Sequence, residues 1–163
     1  MTINLRRQLF MKHDILIVED NHHKRTNIIE SISSAYSSLS IDVCHSFTSA
    51  WKSILENEYK LICLDMSLPT FDQTETGTGG AFRTFGGKEL ARKLKRRKID
   101  TPFIFITQYK NFSQDDSIYS FESIKQEINN NHPEQCKGFI LYSNSSSEWK
   151  DELSKAIMEI IDR

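Results

Sequence analysis

Short, continuous apolar runs that end on acidic or hydroxyl residues constrain this chain more than any other feature. Asp14–Val18 (DILIV) runs into Glu19-Asp20, Tyr59–Leu64 (YKLICL) into Asp65, and Phe103–Ile106 (FIFI) into Thr107. A fourth, Gly138–Tyr142 (GFILY), runs into Ser143. Runs apolar at every position are strands buried on both faces, and that burial requires helices above and below the sheet. The intervening stretches supply them. Ile28, Ile29, Ile32, Ala35, Tyr36 and Leu39 recur at helical spacing after an N-cap at Asp20 or Asn21. Ala50, Trp51, Ile54 and Leu55 mark a second helix, and Leu90, Ala91 and Leu94 a third that closes in the basic run Lys93–Lys98. Phe121, Ile124 and Ile128 mark a fourth, and the stripe from Trp149 to Ile161 a fifth. Ile41 and Val43 alternate with polar neighbours, as an edge strand does.

Five strands each followed by a helix predict an α/β fold, a single (βα)5 doubly wound parallel sheet in the flavodoxin-like order 2-1-3-4-5. The length of 163 residues suits one such domain. We expect an N-terminal extension over 1–13 and a domain over 14–163 with long inserted loops at about 70–87 and 110–118. The first loop holds five of the chain's six glycines, so it reads as a flexible connection that leaves from the strand ends. No apolar run approaches the roughly 20 residues of a membrane helix. With 21 basic and 22 acidic residues the net charge is -1, which disfavours nucleic acid as a partner. Cys44, Cys63 and Cys136 form no CxxC pair and read as reduced structural thiols of a cytoplasmic protein.

Ligands of an open parallel sheet bind outside the carboxyl ends of its strands. In the predicted order Glu19, Asp20 and Asp65 converge on one rim. Three close carboxylates repel one another unless some protonate or a cation sits among them, and an all-oxygen set suits Mg²⁺. An aspartate beside Mg²⁺ can serve as a nucleophile toward phosphorus, with the Thr107 hydroxyl in reach of a phosphoryl oxygen.

With ILIVED, LICLDMSLP, FIFIT and GFILYS in this order, the sequence resembles the response-regulator receiver domain. The resemblance implies that Asp65 accepts a phosphoryl group from a sensor histidine kinase or phosphotransfer protein, and that output passes to a downstream protein target. It further implies Mg²⁺ held by Glu19, Asp20, Asp65 and the backbone carbonyl of Ser67, a switching role for Thr107, and Phe139 at the family's rotating aromatic position. Such a protein is a signalling domain rather than an enzyme. The chain leaves no room for an output domain, so a stand-alone receiver is expected.

Tyr142 replaces the lysine that the family carries at the end of its last strand, normally followed by proline. Substitute cations are sought in Arg83 first, then Lys88 and Lys110, whereas His22-His23-Lys24-Arg25 reads as a solvated first helical turn. The intact Glu19, Asp20, Asp65 and Thr107 set favours a working acceptor, and Tyr142 favours a degenerate receiver that acts as an interaction module; the acceptor is preferred. A phosphatase of the haloacid-dehalogenase type fits less well, because its nucleophile follows the first strand in a DxDx[TV] motif.

Overall fold

The computed structural model describes residues 11–161. Its core is a five-stranded sheet of β1 (Met11–Val18), β2 (Ile41–Cys44), β3 (Asn57–Leu64), β6 (Phe103–Thr107) and β9 (Cys136–Leu141), all parallel, in the order β2-β1-β3-β6-β9. This is the predicted 2-1-3-4-5 arrangement. The helices are α1 (His22–Ala35), α2 (Phe47–Glu56), α3 (Gly86–Arg96), α4 (Phe121–Asn131) and α5 (Glu148–Ile161). The expected extension over 1–13 lies mostly outside the described residues; residues 11–13 open β1 and pair with residues 57–59 of β3.

The strand pleat sorts side chains onto two cores. Leu16, Val18, Ile62, Leu64, Phe103 and Phe105 face α2, α3 and α4, whereas Ile15, Ile17, Leu61, Cys63, Ile104 and Ile106 face α1 and α5. Successive strand residues point to opposite faces, so unbroken apolar runs fill both layers at once. Local signals set the helix starts. Asn21 caps α1 by accepting from the Lys24 N–H, Ser46 and Ser49 form a reciprocal capping box on α2, and Ser120 caps α4. No helix among the described residues is long and apolar enough to cross a membrane.

The two long connections are not structureless. Within 65–87, β4 (Leu68–Pro69) and β5 (Phe82–Arg83) form an antiparallel ribbon that continues through Thr70 N–H to Ala81 O (3.1 Å) and Phe71 N–H to Gly79 O (2.8 Å). Its base is tied to α2, where the Thr48 N–H and hydroxyl both donate to Thr70 O, at 3.0 and 2.6 Å. Residues 110–118 belong to a hairpin of β7 (Asn111–Gln114) and β8 (Ser117–Ser120). Its two-residue turn puts Asp115 and Asp116 at φ 49° and 62°, the backbone that hairpin turns of the primed types require. Phe112 is buried beneath it against Phe85, and Tyr119 meets Phe85 edge-on.

Candidate functional site

Because β1 and β3 are neighbours with Val18 opposite Leu64, the residues after them emerge side by side. Glu19, Asp20 and Asp65 each bring a carboxylate oxygen within 4.8 Å of the others. Glu19 and Asp65 are buried and Asp20 is exposed. Backbone donors hold the buried pair: the Asn21 N–H donates to Glu19 Oε1 at 3.0 Å, and the Met66 N–H to Asp65 Oδ1 at 2.8 Å. Arg25 clamps the turn from β1 into α1, donating to the carbonyls of Glu19 (3.0 Å) and Asp20 (3.3 Å).

A lysine sits in the middle of this acidic rim. The Lys24 ammonium lies 2.5 Å from Glu19 Oε2, 3.3 Å from Asp65 Oδ2 and 2.7 Å from the Ile106 carbonyl, which gives its three N–H bonds three acceptors. Its side chain is only 1% exposed. Burial alone lowers the Lys24 pKa, but the carboxylates of Asp65 and Glu19 outweigh it and hold the ammonium above its ordinary value. Burial pushes Glu19 well above the usual carboxylate range, and the Asp65 charge adds to that push against the opposing pull of Lys24. Asp20 is raised by the same two causes. One ammonium among three carboxylates leaves the cluster short of positive charge. The donor set is all oxygen, which fits a hard divalent cation.

The solvated first turn expected at His22–Arg25 is therefore corrected at Lys24, which shares a buried stripe with Ile28 and Ile32 at four-residue spacing. That spacing was the available signal. Of the substitute cations sought elsewhere, Arg83 and Lys88 are otherwise engaged. Arg83 donates to Glu89 Oε2 at 2.6 Å and stacks 4.2 Å over the Phe47 ring, so it braces the β4–β5 ribbon against α3 and α2. Lys88 bridges to Glu127 on α4 at 3.1 Å. Lys110 is exposed, and its carbonyl accepts the Phe121 N–H.

Thr107 is fully buried at the end of β6, where its hydroxyl accepts the Tyr109 N–H at 3.4 Å and its carbonyl the Tyr142 N–H at 2.8 Å. Ser67 is buried, its hydroxyl donating to Thr84 O at 2.8 Å. Phe139 packs between Phe105 and Phe121, with centroids 5.3 and 4.8 Å away. Tyr142 is buried against Trp149, and its ring centroid lies 5.9 Å from the Lys24 ammonium. Its hydroxyl accepts from Asn27 Nδ2 and donates to Asn144 Oδ1, both at 2.7 Å. It thus ties α1 to the segment between β9 and α5.

The chain is 32% identical over 148 residues to the Detocs response regulatory protein DtcB of Enterobacter cloacae, across 90% of this chain and 99% of that protein. The chain belongs to the response-regulator receiver family. Two solved receivers share the fold. One is the phosphorylated cyanobacterial phytochrome response regulator RcpA (15% identical, covering 93% of this chain and 95% of that one, TM-score 0.61). The other is response regulator protein TrrA from Thermotoga maritima in complex with Mg(2+)-BeF (19% identical, 90% and 99% covered, TM-score 0.53). At these identities the likeness concerns fold alone. No family model matches the chain. In this chain the ammonium beside Asp65 comes from the first helix, and the β4–β5 and β7–β8 hairpins follow the strands that end at Leu64 and Thr107.

Proposed function

We propose that Asp65 accepts a phosphoryl group in a two-component phosphorelay. The observation that carries this reading is the Asp65 carboxylate itself, held by the Met66 N–H, faced by the Lys24 ammonium and flanked by two further carboxylates at the strand ends. An Asp65 oxygen attacks phosphorus. The new O–P bond forms as the N–P bond of a donor phosphohistidine breaks, and the imidazole leaves with the electron pair and takes up a proton from solvent. The carboxylates of Glu19, Asp20 and Asp65, with the Ser67 carbonyl, would hold Mg²⁺, which supplies positive charge to the transferring oxygens. The Thr107 hydroxyl hydrogen-bonds a phosphoryl oxygen. Phe139, packed on Phe121 at the start of α4, carries the change toward that helix. The donor is a sensor histidine kinase or a phosphotransfer protein in the cytoplasm, and the output is contact with a downstream protein.

The decisive test is intact-mass measurement after incubation with acetyl phosphate and Mg²⁺. A phosphoryl adduct on wild type and none on Asp65→Asn is expected. Asp20→Asn should weaken Mg²⁺ binding several-fold by calorimetry, and unchanged affinity would remove Asp20 from the metal site. One observation favours a second reading, a phosphorylation-independent interaction module: Lys24 already pairs with both Glu19 and Asp65. A wild type that takes no phosphoryl group from acetyl phosphate or from a cognate kinase would select that module.

A further inference from the structure

We infer that Lys24, on the first helix, is the cation that pairs with the acceptor aspartate and then with its phosphoryl oxygens, and that Tyr142 closes the position from which a last-strand lysine would otherwise enter. The inference rests on the phospho-acceptor reading and assigns the charge partner within it. Among the described residues Lys24 is the one cationic side chain in ion-pair contact with Asp65.

Its placement follows from the helix start. The Asn21 side chain accepts the Lys24 N–H at 2.9 Å, which fixes Lys24 in the first turn. Helical side chains lean toward the N-terminus, so from this turn the aliphatic stem runs back over the strand ends. Bonds to Glu19 Oε2 and the Ile106 carbonyl then anchor the ammonium beside Asp65 Oδ2. A phosphoryl group on Asp65 replaces one carboxylate charge by roughly two, which raises the demand for a cation at this spot.

Tyr142 fits the same account from the other side. Its ring faces the ammonium, its hydroxyl is held by Asn27 and Asn144, and Trp149 packs behind it. An ammonium at residue 142 and one at residue 24 would compete for the same carboxylate, and like charges at such range oppose one another.

The experiment compares wild type, Lys24→Gln, Tyr142→Lys and the double variant Lys24→Gln/Tyr142→Lys. It measures the phosphorylation rate with acetyl phosphate by intact mass, Mg²⁺ affinity by calorimetry, and melting by circular dichroism. Lys24→Gln should slow phosphorylation by about 10- to 100-fold, the range spanned by one charge-assisted hydrogen bond. The same variant should bind Mg²⁺ at least as tightly as wild type, because a competing cation has gone; a merely misfolded protein would lose both properties. Tyr142→Lys alone should not accelerate phosphorylation, and the double variant should recover most of the wild-type rate. Wild-type kinetics in folded Lys24→Gln would overturn the inference while leaving Asp65 as the acceptor. If Lys24→Gln does not fold, the double variant decides: folded and phosphorylated supports an exchangeable ammonium, folded and unphosphorylated overturns it. A wild type that forms no adduct overturns the phospho-acceptor reading and the inference with it.

Discussion

Replacing Gly87 by alanine should destabilise the protein and disturb Asp65, while the same change one residue earlier should do neither. Gly87 lies in the first turn of α3, with its N–H donating to Met66 O at 2.8 Å. A Cβ there would fall well inside the van der Waals radius of the Asp65 carbonyl oxygen, 3.1 Å from the Asp65 carbonyl carbon and 2.8 Å from Phe105 Cε1. None of these is the free end of a flexible side chain, so either the Asp65 backbone or the helix must move. Overpacking of this kind costs about 1–3 kcal/mol, and a rigid backbone obstacle argues for about 3. Alanine recovers up to about 1 kcal/mol of helix propensity. The net loss is therefore about 2 kcal/mol, or a fall in Tm of about 4–8 °C for a domain of this size. At Gly86 the nearest atoms are Leu68 Cβ at 3.1 Å and Arg83 Cβ at 3.4 Å, so the short β4–β5 ribbon that carries both has to shift only slightly. There the strain and the propensity gain nearly cancel. Urea unfolding of the two variants, followed by circular dichroism, measures the difference, with phosphoryl-adduct formation as the functional readout. Equal stabilities for Gly86→Ala and Gly87→Ala would refute the claim that helix α3 is pressed against the Asp65 backbone.

Three further outcomes are expected. His132 is buried edge-on against Phe103, and burial, followed by the charges of Lys95 and Arg92, lowers its pKa below 6.5. A depressed pKa contributes stability that is present above the unfolded value and lost as pH falls through the folded one. Urea midpoints should thus decline below about pH 6.5, and His132→Phe should flatten that decline; identical pH profiles would rule the histidine out. Asp116→Gly, at φ 62°, should raise Tm by about 2–4 °C by relieving about 1 kcal/mol of left-handed backbone strain; a lower Tm would show that the aspartate side chain holds the turn. Burial pushes the Cys63 thiol up to about 12 and Cys44 up to about 11, so neither should react with Ellman's reagent at neutral pH until the protein is denatured.

The sheet was legible because its strands are apolar at consecutive positions, and one run such as Phe103–Ile106 has to satisfy both layers. The acidic rim was legible for a related reason: in a parallel sheet, whatever follows adjacent strands must meet. The β7–β8 hairpin was not, because it contributes little to the core. In β7 and β8 only Phe112 is buried, and Ile118 is 75% exposed, so no period-2 pattern marks them. The turn signal was weak as well, since Asp115-Asp116 lacks the glycine that usually announces a primed turn. In 65–87 the glycines read as flexibility, yet Gly79 and Gly80, at φ 88° and 71°, let the ribbon return beside Thr70 and Phe71. Lys24 was hidden by composition. Four polar residues in a row suggest solvent, and only the spacing to Ile28 and Ile32 places the third of them inward.

A buried pair such as Glu19 and Asp65 constrains where a positive charge sits in space, not where it sits along the chain. Two carboxylates this close are tolerated only with a counter-charge or a proton on one of them, since an unpaired buried charge costs far more than the pair as a whole. An ammonium can approach from α1 or from the end of β9, and the two routes end in nearly the same volume, because Lys24 and Tyr142 approach to 5.9 Å there. Once α1 supplies the charge, residue 142 is free to be a large neutral side chain, and filling that space gives the tyrosine ring its contact with Trp149 and its hydroxyl two partners. On the inference drawn above, the tyrosine at 142 and the buried helix lysine are one substitution seen from two sides. Tyr142→Phe separates the parts: it keeps the ring over Lys24 and removes the bonds to Asn27 and Asn144, each worth about 1 kcal/mol. Stability should fall by up to about 2 kcal/mol while Asp65 keeps its cation, so the phosphorylation rate should hold. A rate that collapsed with the hydroxyl would mean that Tyr142 acts on Asp65 itself and not as the wall behind Lys24.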